Sequence, residues 1–138
     1  EYPLYGDGKN VRDWLYVLDH VRALEFLLRK GKAGEIYNVG GTVSLENRKL
    51  VQAVRSIMGV SEDLVASVPD RLGHDRRYAL NCQKLRRLGW RHAISFDRAL
   101  RETVNWYRSH QFWWKPIKEK RQFQEYYQKQ YRTLTSAK

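Results

Sequence analysis

Trp14-Leu15-Tyr16-Val17, then Asp19 and the run His20–Lys30 closed by Gly31, then Glu35-Ile36-Tyr37-Asn38-Val39: this stretch decides the fold class. The first four residues are β-branched, aromatic and apolar, and predict a short strand. Asp19 is a good N-cap, and its carboxylate can accept from the free N–H groups of a helix over 20–30. Val21, Leu24, Leu27 and Leu28 fall on one face of that helix. Gly31 then predicts a stop. Residues 35–39 predict a second strand, closed by Gly40-Gly41. Strand, helix and strand in that order predict an α/β class with parallel pairing.

Upstream, Tyr5-Gly6-Asp7-Gly8-Lys9-Asn10 is rich in turn formers and reads as a surface loop. Downstream, Ser44 is placed to cap a helix whose stripe is Leu50, Val51, Val54, Ile57 and Met58, ended by Gly59. Leu64–Val68 reads as a strand cut by Pro69, and residues 70–77 as a charged loop. Tyr78–Leu80 reads as a further strand. Asn81 is expected to cap a short helix carrying Leu85 and Leu88 and terminated by Gly89. Ser95 is expected to cap a longer helix with Phe96, Leu100, Val104 and Tyr107 on its apolar face. Trp90 and Trp106 are read as core aromatics. From His110 the character changes: Phe112-Trp113-Trp114 precedes Pro116, and Ile117–Arg132 has helical periodicity with Phe123, Tyr126, Tyr127 and Tyr131 as a packing stripe. A doubly wound sheet needs more strands than the three or four readable here, so these elements are expected to complete something larger.

The 138 residues suit one domain or a piece of a larger one, and a hydrophobic share of 42 % is enough for a core. The chain begins at Glu1 rather than Met, with no charged-then-apolar leader, and no run of about 18 apolar residues is present. A single cysteine, Cys82, allows no disulfide framework, which sets a reducing cytosol as the expected location. His20, His74, His92 and His110 lack ligand spacing, so no metal site is expected. Net charge is +11, of which residues 110–138 carry +5. Basic and aromatic residues together suit nucleic acid, through phosphate contacts and stacking, or a single diphosphate held by a few arginines. Composition does not choose between them.

The motifs narrow the chemistry. No Gly-x-Gly-x-x-Gly follows a strand, and no Tyr-x-x-x-Lys dyad, zinc motif, P-loop or Gly-x-Ser-x-Gly stands out. No catalytic residue is assigned. Polar groups on loops and element ends remain: Arg12, Asn47, Arg71 and His74. Two arginines and an amide supply the charge-assisted donors that a pyrophosphate needs from more than one direction. On spacing alone Arg12 could equally pair with Asp7 or Asp13, Arg71 with Asp70 or Asp75, and Asn47 could simply open a helix.

Three ordered blocks carry a resemblance. They are Tyr5-Gly6-Asp7-Gly8-Lys9-Asn10-Val11-Arg12-Asp13-Trp14-Leu15-Tyr16-Val17 with Asp19-His20, then Tyr37-Asn38-Val39-Gly40-Gly41, then Val68-Pro69-Asp70-Arg71 with Gly73-His74-Asp75-Arg76-Arg77-Tyr78-Ala79. Together they resemble the dTDP-glucose 4,6-dehydratases of the extended short-chain dehydrogenase/reductase class, over roughly residues 1–108. The resemblance implies an α/β fold that is the C-terminal part of a Rossmann-type nucleotide-sugar dehydratase, followed by a basic helical tail. It implies a nucleotide-sugar-binding region over 1–109 and a basic aromatic helical tail over 110–138. It places Tyr5 near the nucleotide base with Pro3 beside it, Arg12 and Arg71 on the diphosphate, and Asn47 and His74 as further nucleotide-sugar contacts. It implies NAD as cofactor of the full-length enzyme, bound by an upstream half together with the catalytic groups, and no NAD bound by this chain alone. The family's homodimer forms through helices of that upstream half.

Two positions depart from the family pattern. Leu18 stands where an acidic residue is common, and Leu72 replaces a usual proline, removing a fixed φ from the Arg71–His74 loop. Two functions of different class follow. One is the dTDP-sugar-binding part of a lyase that is inactive alone. The other is a non-catalytic module whose tail engages nucleic acid or a protein partner, with nucleic acid the less favoured. Neither involves a membrane.

Overall fold

The computed structural model describes residues 2–131. The chain runs β1 (Tyr2–Tyr5), β2 (Val11–Trp14), α1 (Val17–Lys30), β3 (Val43–Glu46), α2 (Asn47–Met58), a 3-10 turn (Glu62–Leu64), β4 (Val65–Val68), α3 (Gln83–Arg87), α4 (Phe96–Ser109), α5 (Gln111–Glu119) and α6 (Arg121–Gln130). The class is α/β, as expected. β1 pairs in parallel with β4, Tyr5 opposite Val68, while β2 pairs antiparallel with β3, Arg12 opposite Leu45. The parallel pairing expected for the whole therefore holds for one ladder only.

The strand read at Trp14–Val17 lies three residues earlier, and the helix begins where that strand was to end. Asp19 does not cap α1. Its side chain is buried in the first helical turn, where Oδ1 accepts from the Ala93 N–H at 3.1 Å and Arg22 stands 3.7 Å away. The strand read at 35–39 forms no ladder. Its extended propensity is a packing preference, and among the described residues no strand pairs with it. Tyr78–Leu80 forms no strand; the residue before it, Arg77, makes a single bridge to Val11. Ser44 sits inside β3 rather than at a helix cap. Asn81 does act near a helix start, its Oδ1 accepting from Gln83 N–H at 3.0 Å. Ser95 occupies the N-cap of α4 without a side-chain cap bond.

Two packing centres position the rest. Ala23 and Leu85 are fully buried and meet the nearly buried Trp90, with Phe26, Leu27 and Val39 against them. α2 and α4 form the second centre, through buried Val51, Ala99 and Val104. Arg108 there donates to Met58 O at 3.0 Å, a cation at the carbonyl end of α2. Of the face read on α1, only Leu27 joins the core. Val21, Leu24 and Leu28 are exposed, because α1 is apolar on two sides and periodicity does not say which side turns inward. Trp106 is likewise 40 % exposed rather than core.

The helix read over Ile117–Arg132 is two helices meeting at Lys120, whose backbone is extended, and Pro116 lies inside the first. Its expected end at Arg132 lies outside the described residues. Gly41 packs so tightly on the Trp14 backbone that a Cβ has no room, which fixes the crossing after residue 40.

Candidate functional site

The two strand pairings assemble the site. The β1–β4 ladder ends with Gly6 N–H donating to Val68 O at 2.9 Å, so the loop after β4 leaves beside Tyr5. The same loop then returns along β2. Val11 N–H donates to Arg76 O at 2.8 Å, Tyr78 N–H to Val11 O at 3.0 Å, and the Asn10 amide to Asp75 O at 3.2 Å. Residues far apart in the chain thus meet: Tyr5, Arg12, Arg71 and His74.

His74 is the centre. Its side chain is 5 % exposed. Nε2 lies 2.8 Å from Arg12 Nη2 and 2.9 Å from Arg71 Nη2. A guanidinium only donates, so Nε2 must accept, and the ring proton sits on Nδ1. There it donates to Asp70 Oδ1 at 2.6 Å. That bond, and the Arg71 backbone N–H, hold the Asp70 carboxyl below its ordinary range. A carboxylate that orients a histidine in this way fixes both tautomer and ring plane.

The arginines are held by neutral groups. Arg12 donates to Val11 O at 2.8 Å and to Asp75 O at 3.1 Å, and its guanidinium lies 4.2 Å over the Tyr78 ring. Tyr78 donates in turn to Asp75, a bond that raises the pKa of the phenol. The Arg71 guanidinium lies 5.0 Å over the Tyr5 ring, and Tyr5 meets His74 edge-on at 6.3 Å. Among the described residues neither arginine has a carboxylate within ion-pair reach, whereas Arg76 takes Asp7 at 3.1 Å. The surface bridges open to Arg12 and Arg71 on spacing are therefore not formed. Two positive forks converge on one neutral nitrogen, an arrangement suited to an anion with several acceptor oxygens.

The remaining expected residues lie apart from this centre. Pro3 is on β1 opposite Ala66 and shares Tyr5's face of the strand. Asn47 opens α2, its N–H donating to Asn10 O at 3.0 Å. The side-chain carbonyls of Asn47 and of neighbouring, buried Asn10 are both enclosed without a hydrogen-bond partner among the described residues. Sequence reasoning missed Asp70 and Tyr78, although both stand in the quoted third block. A carboxylate four residues before a histidine was the available signal.

β2 passes to α1 through Leu15-Tyr16, β3 runs directly into α2, and β4 is followed by Pro69. None of these junctions offers the glycine-lined turn that lets backbone approach a pyrophosphate. Among the described residues there is also no grouping of three or more His, Cys, Asp or Glu able to hold a metal, and no helix long and apolar enough to cross a membrane.

The α/β scaffold is similar to that of Rossmann-type nucleotide-sugar dehydratases and epimerases of known structure. A crystal structure of the dTDP-glucose 4,6-dehydratase of Streptomyces venezuelae, with NAD bound, superposes at a TM-score of 0.79 with 46 % identity, over 83 % of this chain and 36 % of that one. The Bacillus anthracis dTDP-glucose 4,6-dehydratase in complex with NAD gives 0.77 and 44 %, over 83 % and 37 %. The dTDP-glucose 4,6-dehydratase of Streptomyces antibioticus is 44 % identical over 119 residues, which are 86 % of this chain and 36 % of that protein. The sequence model of the GDP-mannose 4,6 dehydratase family matches residues 1–103, and the chain belongs to that family. It spans about a third of the length of the curated relatives it matches.

Proposed function

We propose that this chain is the C-terminal, substrate-binding part of a dTDP-glucose 4,6-dehydratase. In the full-length lyase it would hold dTDP-glucose during conversion to dTDP-4-keto-6-deoxyglucose. The observation that carries the reading is the convergence of Arg12 and Arg71 on His74 Nε2, with no carboxylate within ion-pair reach of either arginine among the described residues. A diphosphate would bind between the two guanidinium groups. Tyr5 and Pro3 would lie against the base. His74, held by Asp70, and Asn47 would supply the further polar contacts.

Bound NAD supplies hydride exchange in the complete enzyme, and its cradle and the catalytic groups belong to an upstream half. This chain's own residues bind and orient the nucleotide, and alone it is expected to be inactive and not to hold NAD. Residues 1–109 form the binding region and 110–138 the tail. The expected partners are the NAD-binding half and, for the full-length protein, a second copy; the expected location is the cytoplasm. The alternative, a non-catalytic module whose tail engages nucleic acid or a protein partner, finds no support in the relatives.

The test is a thermal melt with and without dTDP. A melting temperature raised by dTDP, and less by UDP, is the expected result. A cooperative melt that neither nucleotide moves would overturn the assignment of this site.

A further inference from the structure

α6 reaches back across the whole chain to Tyr5. The Tyr5 hydroxyl donates to the Tyr131 hydroxyl at 3.2 Å and accepts from Gln130 Nε2 at 3.3 Å. The two rings stand 6.4 Å apart. Behind Tyr131, an aromatic ladder runs up the helix at i, i+4 and i+8: Tyr131 to Tyr127 at 4.7 Å, and Tyr127 to Phe123 at 6.2 Å. α6 follows α5, which is fastened to α4 by Trp106 against Trp113 at 5.3 Å and by Trp114 Nε1 donating to Tyr107 O at 2.8 Å. These contacts come from residues beyond the region that the family's sequence model matches.

We infer that the last turn of α6 completes the nucleotide site, with Tyr131 and Gln130 as positioning residues that fix the Tyr5 ring. The inference rests on Tyr5 contacting the nucleotide base, as proposed above. Tyr5 carries the Arg71 guanidinium on its face and His74 at its edge, so its orientation is shared by the tail on one side and the anion-binding groups on the other. A phenol held at both ends of its hydroxyl cannot swing, and a fixed ring is a better surface for a base than a mobile one. Among the described residues the tail bonds to Tyr5 and makes no hydrogen bond to Arg12, Arg71 or His74, so its main effect falls on the base end of the ligand.

The experiment is calorimetric titration of the full chain with dTDP and, separately, with inorganic pyrophosphate. It compares the unaltered chain with Tyr131→Phe combined with Gln130→Ala, each with and without Tyr5→Phe. The double substitution is expected to weaken dTDP binding roughly 3- to 10-fold, the scale of one or two net hydrogen bonds. Pyrophosphate binding should stay constant, and the effect on dTDP should vanish in the Tyr5→Phe background. Unchanged or tighter dTDP binding overturns the inference, as does a parallel loss of pyrophosphate. If the unaltered chain binds no dTDP, the underlying nucleotide reading fails and the inference goes with it.

Discussion

At the scale of the residue, the site is a histidine made into an acceptor by its neighbours. Asp70 accepts a hydrogen bond from Nδ1–H, leaving the Nε2 lone pair facing two guanidinium groups that, among the described residues, have no carboxylate within ion-pair reach. Such forks bind a diphosphate through several charge-assisted bonds, so Arg12→Ala or Arg71→Ala should each weaken dTDP binding by about 2–4 kcal/mol. Titration calorimetry reads this directly, and unchanged affinity in both variants would remove these residues from the site. Asp70 also predicts a pH dependence. Its folded pKa is depressed by the bond to His74, so the stability it contributes is complete above the unfolded value of about 3.9. That contribution disappears as pH falls through the lower folded value. Asp7, Glu35, Glu46 and Glu102 shift the same way, so the melting temperature should drop on acidification below about pH 4. Asp70→Asn should flatten part of that drop without shifting the rest, and a melt series over that range checks it.

At the scale of the element, what was legible in the sequence followed local chemistry. α2 was readable because its stripe ends at Gly59, whose φ of 68° lies where other residues are strained. With open space around that position, Gly59→Ala should cost only the backbone strain, about 1 kcal/mol. α3 was readable from Asn81 and Leu85. Leu85 is fully buried against Ala23 and Trp90, so Leu85→Ala should lower unfolding stability by about 2–5 kcal/mol in chemical denaturation. The two arginines and the histidine that frame the site were also marked, because their types point to an anion. What was not legible depended on partners. The segment 35–39 has strand composition but no pairing strand among the described residues, the inward side of α1 is set by Trp90 and Leu85 rather than by its own pattern, and the break at Lys120 interrupts an unbroken periodicity. The contact of Tyr131 with Tyr5 spans nearly the whole chain, and no spacing rule reaches that far.

At the scale of the whole molecule, the exposed apolar surface is patterned. Val17, Val21, Leu24 and Leu28 recur at i, i+4, i+7 and i+11, a continuous stripe along α1, and each is at least half exposed. The opposite side of the same helix, through Ala23, Phe26 and Leu27, packs on this chain's own core. A helix apolar on both sides belongs between two packed layers, and a stripe of this length left in water marks an interaction surface. The chain spans about a third of its relatives, and the proposed partner is the NAD-binding half, so that half is the expected cover for the stripe. Leu24→Lys with Leu28→Lys separates the two roles of α1. Because both side chains point away from the core, the melt of the isolated chain should change by no more than about 0.5 kcal/mol per site. Association with a separately produced NAD-binding half, followed by sedimentation velocity, should be lost, since two buried lysines would lack partners. A complex that survives both lysines would place the NAD-binding half elsewhere. A chain destabilised by them would mean that the stripe is packed within this molecule.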